Sequence, residues 1–405
     1  MTLDDVEVGG KTVLARIDIN SPIDSETGEI LDDNRIKMSS STLEELSEKG
    51  AKIVVMAHQG RPGRNDFTTL ENHAKKINQT LDLKVEYVDE IFGSSARNNI
   101  KNLESGEVLL LENMRFYSEE VINKPAEEQA NTHLVRKLSP LADLYVNDAF
   151  AAAHRSHPSL VGFPITLPGV AGRLLEKEIR ELGRAQNPEH PCTYLLGGAK
   201  VSDSLLLIEH ILENEIADYV LTGGLIGNVL LAVNHEIGGP NTQVLLDKGY
   251  ENEIDRAKEI ISTYKNKIKI PQDVRVEEKN GEANSIPVNQ LPTDKPIYDI
   301  GDKTISEYSK TIQDSKTVIA NGPVGVFEKP AFAKGTNELL NSMVKSGSYT
   351  IIGGGHMVAS AREIGITQKI DHVSTGGGSC LNFLSGEKLP VIEALKKSVK
   401  INKKA

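Results

Sequence analysis

The stretch KIVVMAHQGRPGR, residues 52–64, joins two kinds of sequence that together indicate an α/β fold. Lys52–Ala57 is a short apolar run rich in β-branched residues, which predicts a buried strand. His58–Arg64 is a loop of glycine, proline and basic residues, and Thr68–Leu81 behind it has the length and composition of a helix. A strand, a loop and a helix in this order form the repeating unit of a parallel sheet covered by helices.

The same order recurs along the whole chain. Further strands are predicted at Thr12–Ile19, Val85–Val88, Val108–Leu111, Leu144–Val146, Thr193–Leu196, Tyr219–Thr222, Thr317–Ala320 and Tyr349–Ile352. Further helices are predicted at Arg35–Lys49, Leu205–Glu215, Glu251–Tyr264 and Ala331–Val344. This alternation predicts an α/β protein of two doubly wound, Rossmann-like parallel-sheet lobes with a cleft between them.

A domain boundary is predicted between residues 165 and 190. Thr166–Gly172 and Asn187–Pro191 carry proline and glycine, and the charged segment Arg173–Gln186 between them is typical of a helix. We therefore predict an N-terminal domain over residues 1–170, a hinge helix over 171–187 and a C-terminal domain over 188–388.

The composition excludes several classes of function. The 405 residues are 39% hydrophobic and 25% charged, with a formal net charge of −11, 4% aromatic residues and no Trp. This balance argues against broad nucleic-acid binding, which requires basic surface and often aromatic stacking. Two cysteines, Cys192 and Cys380, are too few for a disulfide framework or a cysteine zinc site. Apolar runs such as Ile53–Ala57 are far shorter than the roughly 18 residues of a membrane span, so a soluble cytoplasmic protein is predicted.

Basic and polar residues follow the predicted strands of the first half. They are Asp18, Asn20, His58, Arg61, Arg64, Arg115, His154, Arg155 and His157, with Arg35 at the start of the first helix. Any one of them is as easily an ordinary solvated or capping residue. Because the carboxyl ends of parallel strands meet at one edge, the set instead predicts a site for a small polyanion, which arginine binds bidentately.

Glycine-rich loops follow the strands of the second half. They are Gly197–Lys200, Thr222–Gly224, Asn321–Gly325, Gly353–His356 and Ser374–Gly378. None has the spacing of a P-loop or of a GxGxxG fingerprint. A single glycine triplet is more often a tight turn, but five such loops predict backbone amides and Lys200 around a nucleotide.

These loops resemble those of the phosphoglycerate kinase family over the length of the chain, most closely its archaeal branch. The matching segments are Arg16–Pro22, His58–Pro62, Leu110–Phe116, Asn147–His157, Gly197–Asp203, Asp299–Thr304, Asn321–Glu328 and His372–Gly378. Each segment alone has limited specificity, whereas all eight in order are very specific. The resemblance implies reversible phosphoryl transfer between ATP and 3-phosphoglycerate, giving 1,3-bisphosphoglycerate and ADP.

The resemblance also implies roles for individual residues. Those implied for 3-phosphoglycerate, in the N-terminal domain, are Asp18, Ile19, Asn20, Arg35, His58, Gln59, Gly60, Arg61, Arg115, His154 and Arg155. Those implied for the nucleotide, in the C-terminal domain, are Gly198, Lys200, Gly223, Gly224, Asn321, Glu328, Gly354, Gly355, His356 and Met357. Arg35, Lys200 and the amides of Gly376, Gly377 and Gly378 are implied to act on the transferred phosphoryl group.

The resemblance further implies Mg²⁺ as part of MgATP or MgADP, and a C-terminal segment 389–405 that packs back onto the first domain. No metal site of protein residues is predicted, because His154 and His157 lack a third convergent ligand. The expected partners are the two small-molecule substrates, with no nucleic acid and no membrane. We expect a monomer, with a homodimer as the alternative.

Two departures from the family pattern leave alternatives open. Many members have a second lysine where this chain has Ser204, and an Asp associated with the Mg²⁺ of the nucleotide where it has His356. These departures are the only support for an alternative, a catalytically weakened nucleotide-binding regulator of the same fold, whereas Arg35 and Lys200, which an enzyme must keep, are both present. A nicotinamide-dependent dehydrogenase is a further alternative, but the GxGxxG fingerprint that it requires is absent.

Overall fold

A computed structural model describes residues 1–402 of the chain, and the side chains of residues 1–399. Contacts between Cα atoms divide the chain into two compact units. Unit 1 comprises Met1–Arg180 together with the chain from Lys388 onward, and unit 2 comprises Glu181–Glu387. The division lies inside the helix predicted as the hinge, ten residues beyond the predicted end of the N-terminal domain at residue 170. Residues 403–405 of the predicted C-terminal segment lie outside the described residues.

Unit 1 is built around a six-stranded sheet in which every pairing is parallel. Its strands are β1 (Thr12–Arg16), β2 (Lys52–Met56), β3 (Val85–Tyr87), β4 (Val108–Leu110), β5 (Leu144–Asn147) and β6 (Gly169–Ala171), in the order β3-β4-β2-β1-β5-β6. Leu14 of β1 lies opposite Val54 of β2 on one side and Tyr145 of β5 on the other. These central strands are buried on both faces, as expected for a parallel sheet that helices cover.

The helices of unit 1 cover this sheet. They are α1 (Asn34–Glu48), α2 (Glu71–Thr80), α3 (Ser94–Asn102), α4 (Ala126–Gln129), α5 (His133–Leu138), α6 (Phe163–Thr166) and the first part of α7 (Arg173–Gln186), whose residues from Glu181 onward belong to unit 2. Ile36, Leu43 and Leu46 of α1 lie on one side of that helix and are buried in the same apolar core as β1 and β2. Their spacings of seven and three residues along the chain give the helix one apolar face.

Unit 2 contains a second six-stranded parallel sheet and a small antiparallel one. Its strands are β7 (Cys192–Leu196), β8 (Tyr219–Thr222), β9 (Ile268–Lys269), β10 (Asp273–Glu277), β11 (Ala283–Pro287), β12 (Ile297–Ile300), β13 (Thr317–Asn321), β14 (Tyr349–Gly353) and β15 (His372–Val373). The parallel sheet has the order β15-β14-β13-β7-β8-β9, and the antiparallel sheet the order β11-β10-β12.

The helices of unit 2 follow its strands, and one last helix belongs to unit 1. They are α8 (Val201–Glu213), α9 (Gly224–Ala232), α10 (Gly239–Asp247), α11 (Glu251–Tyr264), α12 (Asp302–Gln313), α13 (Lys334–Lys345), α14 (Gly355–Glu363), α15 (Gly377–Leu384) and, in unit 1, α16 (Pro390–Asn402). The Ser398 hydroxyl of α16 accepts from the Gly169 amide at 2.8 Å and donates to the Leu167 carbonyl at 3.0 Å. Within residues 1–402, no helix has both the length and the apolar character needed to cross a bilayer.

The predicted strands coincide with strands of the two large sheets, and the α/β class of two parallel-sheet lobes is confirmed. The prediction that the first strand extends to Ile19 was wrong, because β1 ends at Arg16. The Asp18 carboxylate accepts a hydrogen bond from the Asn20 amide at 3.0 Å, so the chain turns there instead of continuing the strand. The sequence did not predict β6, β9, β15 or the antiparallel sheet.

Candidate active site

The carboxyl edge of the sheet in unit 1 holds a pocket of about 310 Å³ that we call the basic pocket. It is lined by Asn20, His58, Gly60, Arg61, Arg64, Asp66, Arg115 and Arg155. These residues follow β1, β2, β4 and β5, so the parallel order of the sheet brings four separate loops together. The predicted polyanion residues Asn20, His58, Arg61, Arg115 and Arg155 therefore share one pocket.

Asp18 and Arg35 form an ion pair beside these loops. Arg35 Nη1 lies 3.0 Å from Asp18 Oδ2, and the Arg35 side chain is 33% exposed. Burial of Asp18 raises the pKa of its carboxyl, but the charges of Arg35 and Arg16 and the hydrogen bond from the Asn20 amide are among the effects that together outweigh burial, and the pKa falls to about 2. Asp18 is thus a fixed negative charge whose role is to orient Arg35 at the beginning of α1.

Gly60 fits its place in the basic pocket only as glycine. Its φ is +66°, and a Cβ atom there would lie 2.4 Å from the backbone oxygen of Asp66. The Asn20 side chain accepts from the Gly60 amide at 2.8 Å, and Arg115 donates to the Gly60 carbonyl. The loop after β2 is therefore held from both sides by residues that follow β1 and β4.

The arginines of the basic pocket raise the local positive potential. Burial, followed by the nearby charges of Arg155 and Arg16, lowers the pKa of Arg115 to about 10. Burial and the charge of Arg61 likewise lower the pKa of Arg155. Burial is the largest cause of both shifts, and neighbouring arginines add to it in each case. The pocket is accordingly suited to a ligand with several negative charges.

A second hollow lies next to the basic pocket and shares Arg61, Arg115 and Arg155 with it. It also contains His154 and His157, which the sequence placed near the polyanion site. Burial and the neighbouring arginines lower the pKa of His157 to about 3, so this imidazole is neutral near pH 7.

Two predicted substrate residues are structural instead, a correction to the expectation from the sequence. The Ile19 side chain is fully buried in the core of unit 1. Gln59 is also fully buried, and its amide exchanges two hydrogen bonds with the Ser21 backbone at 3.0 and 2.9 Å. His73 Nε2 lies 3.0 Å from the same amide oxygen. Gln59 therefore joins the loops after β1 and β2, and its side chain is not free to bind a ligand.

A buried charged network behind the basic pocket was not predicted. Arg16 at the end of β1 is 1% exposed, and its Nε donates to the Ser159 hydroxyl at 2.9 Å. The Ser159 hydroxyl donates in turn to the buried carboxylate of Glu120. The feature of the sequence that could have indicated this network is a charged residue, Arg16, at the end of an otherwise apolar strand.

Unit 2 holds a pocket of about 460 Å³ that we call the apolar pocket. Of the residues predicted to bind the nucleotide, it is lined by Gly198, Gly223, Gly224, Glu328 and His356. Pro323 and Val324, from the predicted loop Asn321–Gly325, also line it. Other parts of its walls were not predicted, and they include Pro240, Val244, Pro271 and Tyr298. In the sequence such residues look like ordinary core, and no motif separates them from it.

Glycines at this pocket allow close approach of separate loops. Gly224 has φ +58°, and a Cβ atom there would lie 2.7 Å from the Gly198 amide nitrogen. A Cβ atom on Gly223 would lie 2.5 Å from the Val324 side chain. The loops after β7, β8 and β13 can pack this tightly only because these positions lack side chains.

Helix N-termini lie at the carboxyl ends of the parallel strands in unit 2. Lys200, Gly223, Gly354 and Gly376 are the N-cap residues of α8, α9, α14 and α15, which follow β7, β8, β14 and β15. The first amides of each helix have no partner within the helix and attract anions. A Cβ atom on Gly377 would lie 3.9 Å from the Gly354 Cα atom, so the loops before α14 and α15 are adjacent.

Other predicted nucleotide residues occupy different environments. Lys200 and Gly355 lie outside the lining of the apolar pocket, and Lys200 Nζ is 3.9 Å from Asp203 Oδ2 with its side chain 61% exposed. The Asn321 side-chain nitrogen is buried and has no hydrogen-bond partner among the described residues. The Met357 side chain is fully buried in the core of unit 2, which corrects any role for it as a ligand. Only the Met357 backbone is left to face a phosphate.

His356 and Glu328 form an exposed pair at the mouth of the apolar pocket. His356 Nδ1 lies 3.1 Å from Glu328 Oε1. Across the described part of the chain, no group of three or more His, Cys, Asp or Glu residues could hold a metal ion. Glu328 offers this pocket an exposed carboxylate for a cation that a nucleotide carries.

Comparisons with known proteins agree with this arrangement. The family model of phosphoglycerate kinase matches residues 3–387. The phosphoglycerate kinase of Methanobacterium bryantii is 51% identical over 97% of this chain and 96% of its own. The phosphoglycerate kinase of Methanothermus fervidus is 50% identical over 98% of this chain and 97% of its own. The crystal structure of phosphoglycerate kinase from Pyrococcus horikoshii OT3 superposes with a TM-score of 0.92, at 44% identity and 99% coverage of both chains.

Proposed function

The chain belongs to the phosphoglycerate kinase family, and we propose how its residues divide the work of that family's reaction. The protein is a phosphotransferase that reversibly transfers a phosphoryl group between ATP and 3-phosphoglycerate. The acceptor is a carboxylate that is already ionised at neutral pH, so the transfer needs no general base. What the site must supply is in-line positioning and stabilisation of negative charge.

We assign 3-phosphoglycerate to the basic pocket of unit 1. The observation that supports this assignment is the surplus of positive charge around Arg61, Arg115 and Arg155, which only a polyanion would neutralise. Asn20 and His58 add polar contacts in the same pocket. Planar guanidinium groups match both the carboxylate and the phosphate of this substrate.

We assign Arg35 to the phosphoryl group in transfer. It does not line the basic pocket, but its ion pair with Asp18 fixes it beside the loop that carries Asn20. A guanidinium held in place before the reaction stabilises developing charge without reorganisation. His154 lies in the neighbouring hollow, and we place it at the edge of the substrate site.

We assign the nucleotide to unit 2. The apolar walls, with Tyr298, Val244 and Pro323, suit the faces of a nucleobase, and Glu328 offers a carboxylate for ribose hydroxyls. The amides at the beginnings of α14 and α15 would hold the phosphates, and Lys200 at the beginning of α8 would supply the mobile positive charge.

Mg²⁺ would be part of the substrate, as MgATP. This ion keeps several waters and phosphate oxygens among its ligands, so one nearby carboxylate such as Glu328 suffices on the protein side. When bound, the ion would neutralise charge on the phosphate oxygens. The replacement of a carboxylate by His356 is compatible with this arrangement.

These assignments divide the chain into domains with different functions. We propose that residues 1–170 bind 3-phosphoglycerate, residues 188–388 bind the nucleotide, and α7 serves as the hinge between them. Cytoplasmic location and a monomeric state stay predictions, with a homodimer as the alternative that light scattering would reveal.

A coupled assay tests the proposed function. Purified protein is supplied with ATP, Mg²⁺ and 3-phosphoglycerate, and 1,3-bisphosphoglycerate is consumed by glyceraldehyde-3-phosphate dehydrogenase with oxidation of NADH. We expect turnover of about 1–100 per second that stops when any one component is omitted. Nucleotide binding without turnover would support the binding-only regulator instead.

A further inference from the structure

The buried guanidinium of Arg16 lies directly behind His58. Arg16 Nη2 is 3.0 Å from His58 Nδ1, while Nη1 donates to the Ile17 carbonyl and Nε donates to Ser159. Arg16 is 1% exposed and does not line the basic pocket, whereas His58 does. Arg16 can therefore affect a ligand in that pocket only through His58 and through its charge.

The contact between these two side chains fixes where the imidazole carries its proton. A guanidinium has only donors and stays charged at every pH of interest. His58 Nδ1 must then accept, with its lone pair, the hydrogen bond from Arg16. A proton on Nδ1 would place two donors against each other, so a neutral ring carries its proton on Nε2.

We infer that Arg16 is a positioning residue that holds His58 as the neutral Nε2–H tautomer, so that this ring donates a hydrogen bond to 3-phosphoglycerate without adding a charge. The inference rests on the proposed function, in which the basic pocket holds that substrate. Arg16 is buried and does not line the pocket, so neither its exposure nor a pocket contact would indicate this role.

The charges around His58 favour the same state. The ring faces Arg16 at the end of β1, Asp18 in the following loop, Arg115 after β4 and Arg155 after β5. Burial first of all, and then these arginines, lower the pKa of His58 well below 6.5, although Asp18 acts in the opposite sense. Arg61, Arg64 and Asp66 line the same pocket. A fixed donor without charge avoids adding one more cation to a crowded group of arginines.

The network on the far side of Arg16 keeps its charge in place. The Ser159 hydroxyl accepts from Arg16 Nε and donates to Glu120, whose carboxylate also accepts from the Ser159 amide at 2.9 Å. Glu120 is 1% exposed; burial raises the pKa of its carboxyl, and the nearby charge of Arg16 acts in the opposite sense. Removal of Arg16 alone would take away a cation that lowers this pKa, so the variant that lacks Arg16 also replaces Glu120 by a neutral residue.

Nuclear magnetic resonance of the full chain tests the tautomer directly. With ¹⁵N-labelled histidine, long-range ¹H–¹⁵N spectra distinguish a protonated ring nitrogen from one with a lone pair, and the H58Q variant assigns the signals. We expect His58 to show a protonated Nε2 and an unprotonated Nδ1 that stay unchanged between about pH 6 and about pH 8. An Nδ1–H tautomer, or a ring that titrates near its ordinary pKa, would overturn the inference.

The double variant Arg16→Gln with Glu120→Gln tests the cause. A glutamine amide both donates and accepts, so we expect the His58 signals to become a mixture of tautomers. We also expect the KM for 3-phosphoglycerate to rise about tenfold and to depend more steeply on pH than in the parent, with the KM for ATP changed by less than about twofold. Comparing the two proteins cancels the titration of the substrate's own phosphate.

Two controls separate the possible failures. The single variant Glu120→Gln retains Arg16, so its His58 signals should match the parent, and Arg97→Gln controls for an arginine change elsewhere in unit 1. If the double variant folds and its His58 signals are unchanged, Arg16 does not set the tautomer. Turnover of the unmodified sample is measured alongside: its absence would refute the proposed function, whereas turnover with the wrong tautomer would refute only this inference.

Discussion

Units 1 and 2 share one architecture and differ in how they are equipped to bind negative charge. Both have a six-stranded parallel sheet with loops gathered at its carboxyl edge. In unit 1 these loops present charged side chains, among them Arg61, Arg115 and Arg155. In unit 2 they present glycines, helix N-termini and apolar walls. The same fold thus supports recognition by side chains in one unit and by backbone in the other.

Two buried aspartates show this difference in their pKa values. In unit 1, burial raises the pKa of Asp18, but Arg35 and the other groups around this carboxyl together overcome burial and lower the pKa to about 2. In unit 2, Asp299 lines the apolar pocket, and burial raises the pKa of its carboxyl to about 7 despite hydrogen bonds from the Gly335 and Ile300 amides. A carboxylate is therefore stabilised in the first environment and disfavoured in the second.

The largest expected effect comes from Arg35→Ala in unit 1. Loss of a preorganised guanidinium at the transferred group should lower kcat by about 10²–10³-fold. The unfolding free energy should fall by only about 1–3 kcal/mol, because the change removes the largest favourable charge beside the buried Asp18 carboxylate but leaves its other partners in place. Steady-state kinetics and urea unfolding measure the two quantities.

Lys37→Ala is the matched control for Arg35→Ala. Lys37 lies on the same helix, α1, and its side chain is 58% exposed and paired with Asp33. The kcat of the Lys37→Ala variant should equal that of the unmodified protein. Near-normal kcat in Arg35→Ala would remove Arg35 from the transfer step.

Lys200→Ala is the corresponding change in unit 2. Its side chain is 61% exposed, so the fold should tolerate the change, while kcat should fall by about tenfold to a hundredfold because one cation at the transferred group is lost. Calorimetric titration with 3-phosphoglycerate should give an affinity within about twofold of the unmodified protein. Weaker binding of 3-phosphoglycerate would instead assign Lys200 to the acid substrate.

Gly224→Ala tests whether unit 2 depends on backbone geometry. Alanine at φ +58°, with a Cβ atom 2.7 Å from the Gly198 amide nitrogen, should shift the loop at a cost of about 1–3 kcal/mol. The KM for ATP should rise about tenfold while that for 3-phosphoglycerate stays constant. Gly239→Ala is the control, since a Cβ atom there meets nothing within 4 Å. Equal effects of both variants would contradict a specific role for the loop.

The pH dependence of stability should also differ between the units, and its sign should be opposite in the two. The pKa of Asp18 is lowered on folding, so its contribution is present above the ordinary value of 3.8 and is lost as pH falls towards about 2. The pKa of Asp299 is raised on folding, so its ionisation lowers stability as pH rises from 3.8 to about 7. Between the unfolded and the folded pKa of each carboxyl, the unfolding free energy changes by about 1.4 kcal/mol per pH unit.

Urea unfolding of Asp18→Asn and Asp299→Asn across pH checks these signs. Asp299→Asn should reduce the decline of the unfolding free energy between about pH 4 and about pH 7. Asp18→Asn should reduce the loss of unfolding free energy on acidification below about pH 4. Slopes are compared rather than absolute stabilities, since Asn replaces one acceptor oxygen by a donor. Identical profiles for the two variants would contradict the opposite environments of the two carboxyls.

The large sheets were predictable because their strands are buried on both faces and read as continuous apolar runs. The antiparallel sheet was not, since strands such as Ala283–Pro287 are largely exposed and lack an apolar pattern. Likewise, the basic pocket was predictable from residue types that rarely gather without function. Arg16 was missed as a site residue because its role depends on its distance from His58, which no spacing in the sequence encodes.

The apolar pocket marks the other limit of prediction. Its glycine loops were recognised, but Pro240 and Val244 form its walls only after the chain has folded. Gln59 and Met357 show the converse error: they lie within matching or neighbouring loops, yet their side chains are buried in structural roles. A motif identifies the loop more reliably than it identifies which side chain in the loop faces the ligand.

Calorimetric titration of two variants with both substrates tests the central claim, that each unit recognises its own substrate by its own means. Arg155→Met should weaken 3-phosphoglycerate binding at least about tenfold and leave ADP binding within about twofold. Gly224→Ala should weaken ADP binding at least about tenfold and leave 3-phosphoglycerate binding within about twofold. If either variant weakens the binding of the other unit's substrate, or of both substrates equally, the assignment of side-chain recognition to unit 1 and backbone recognition to unit 2 is wrong.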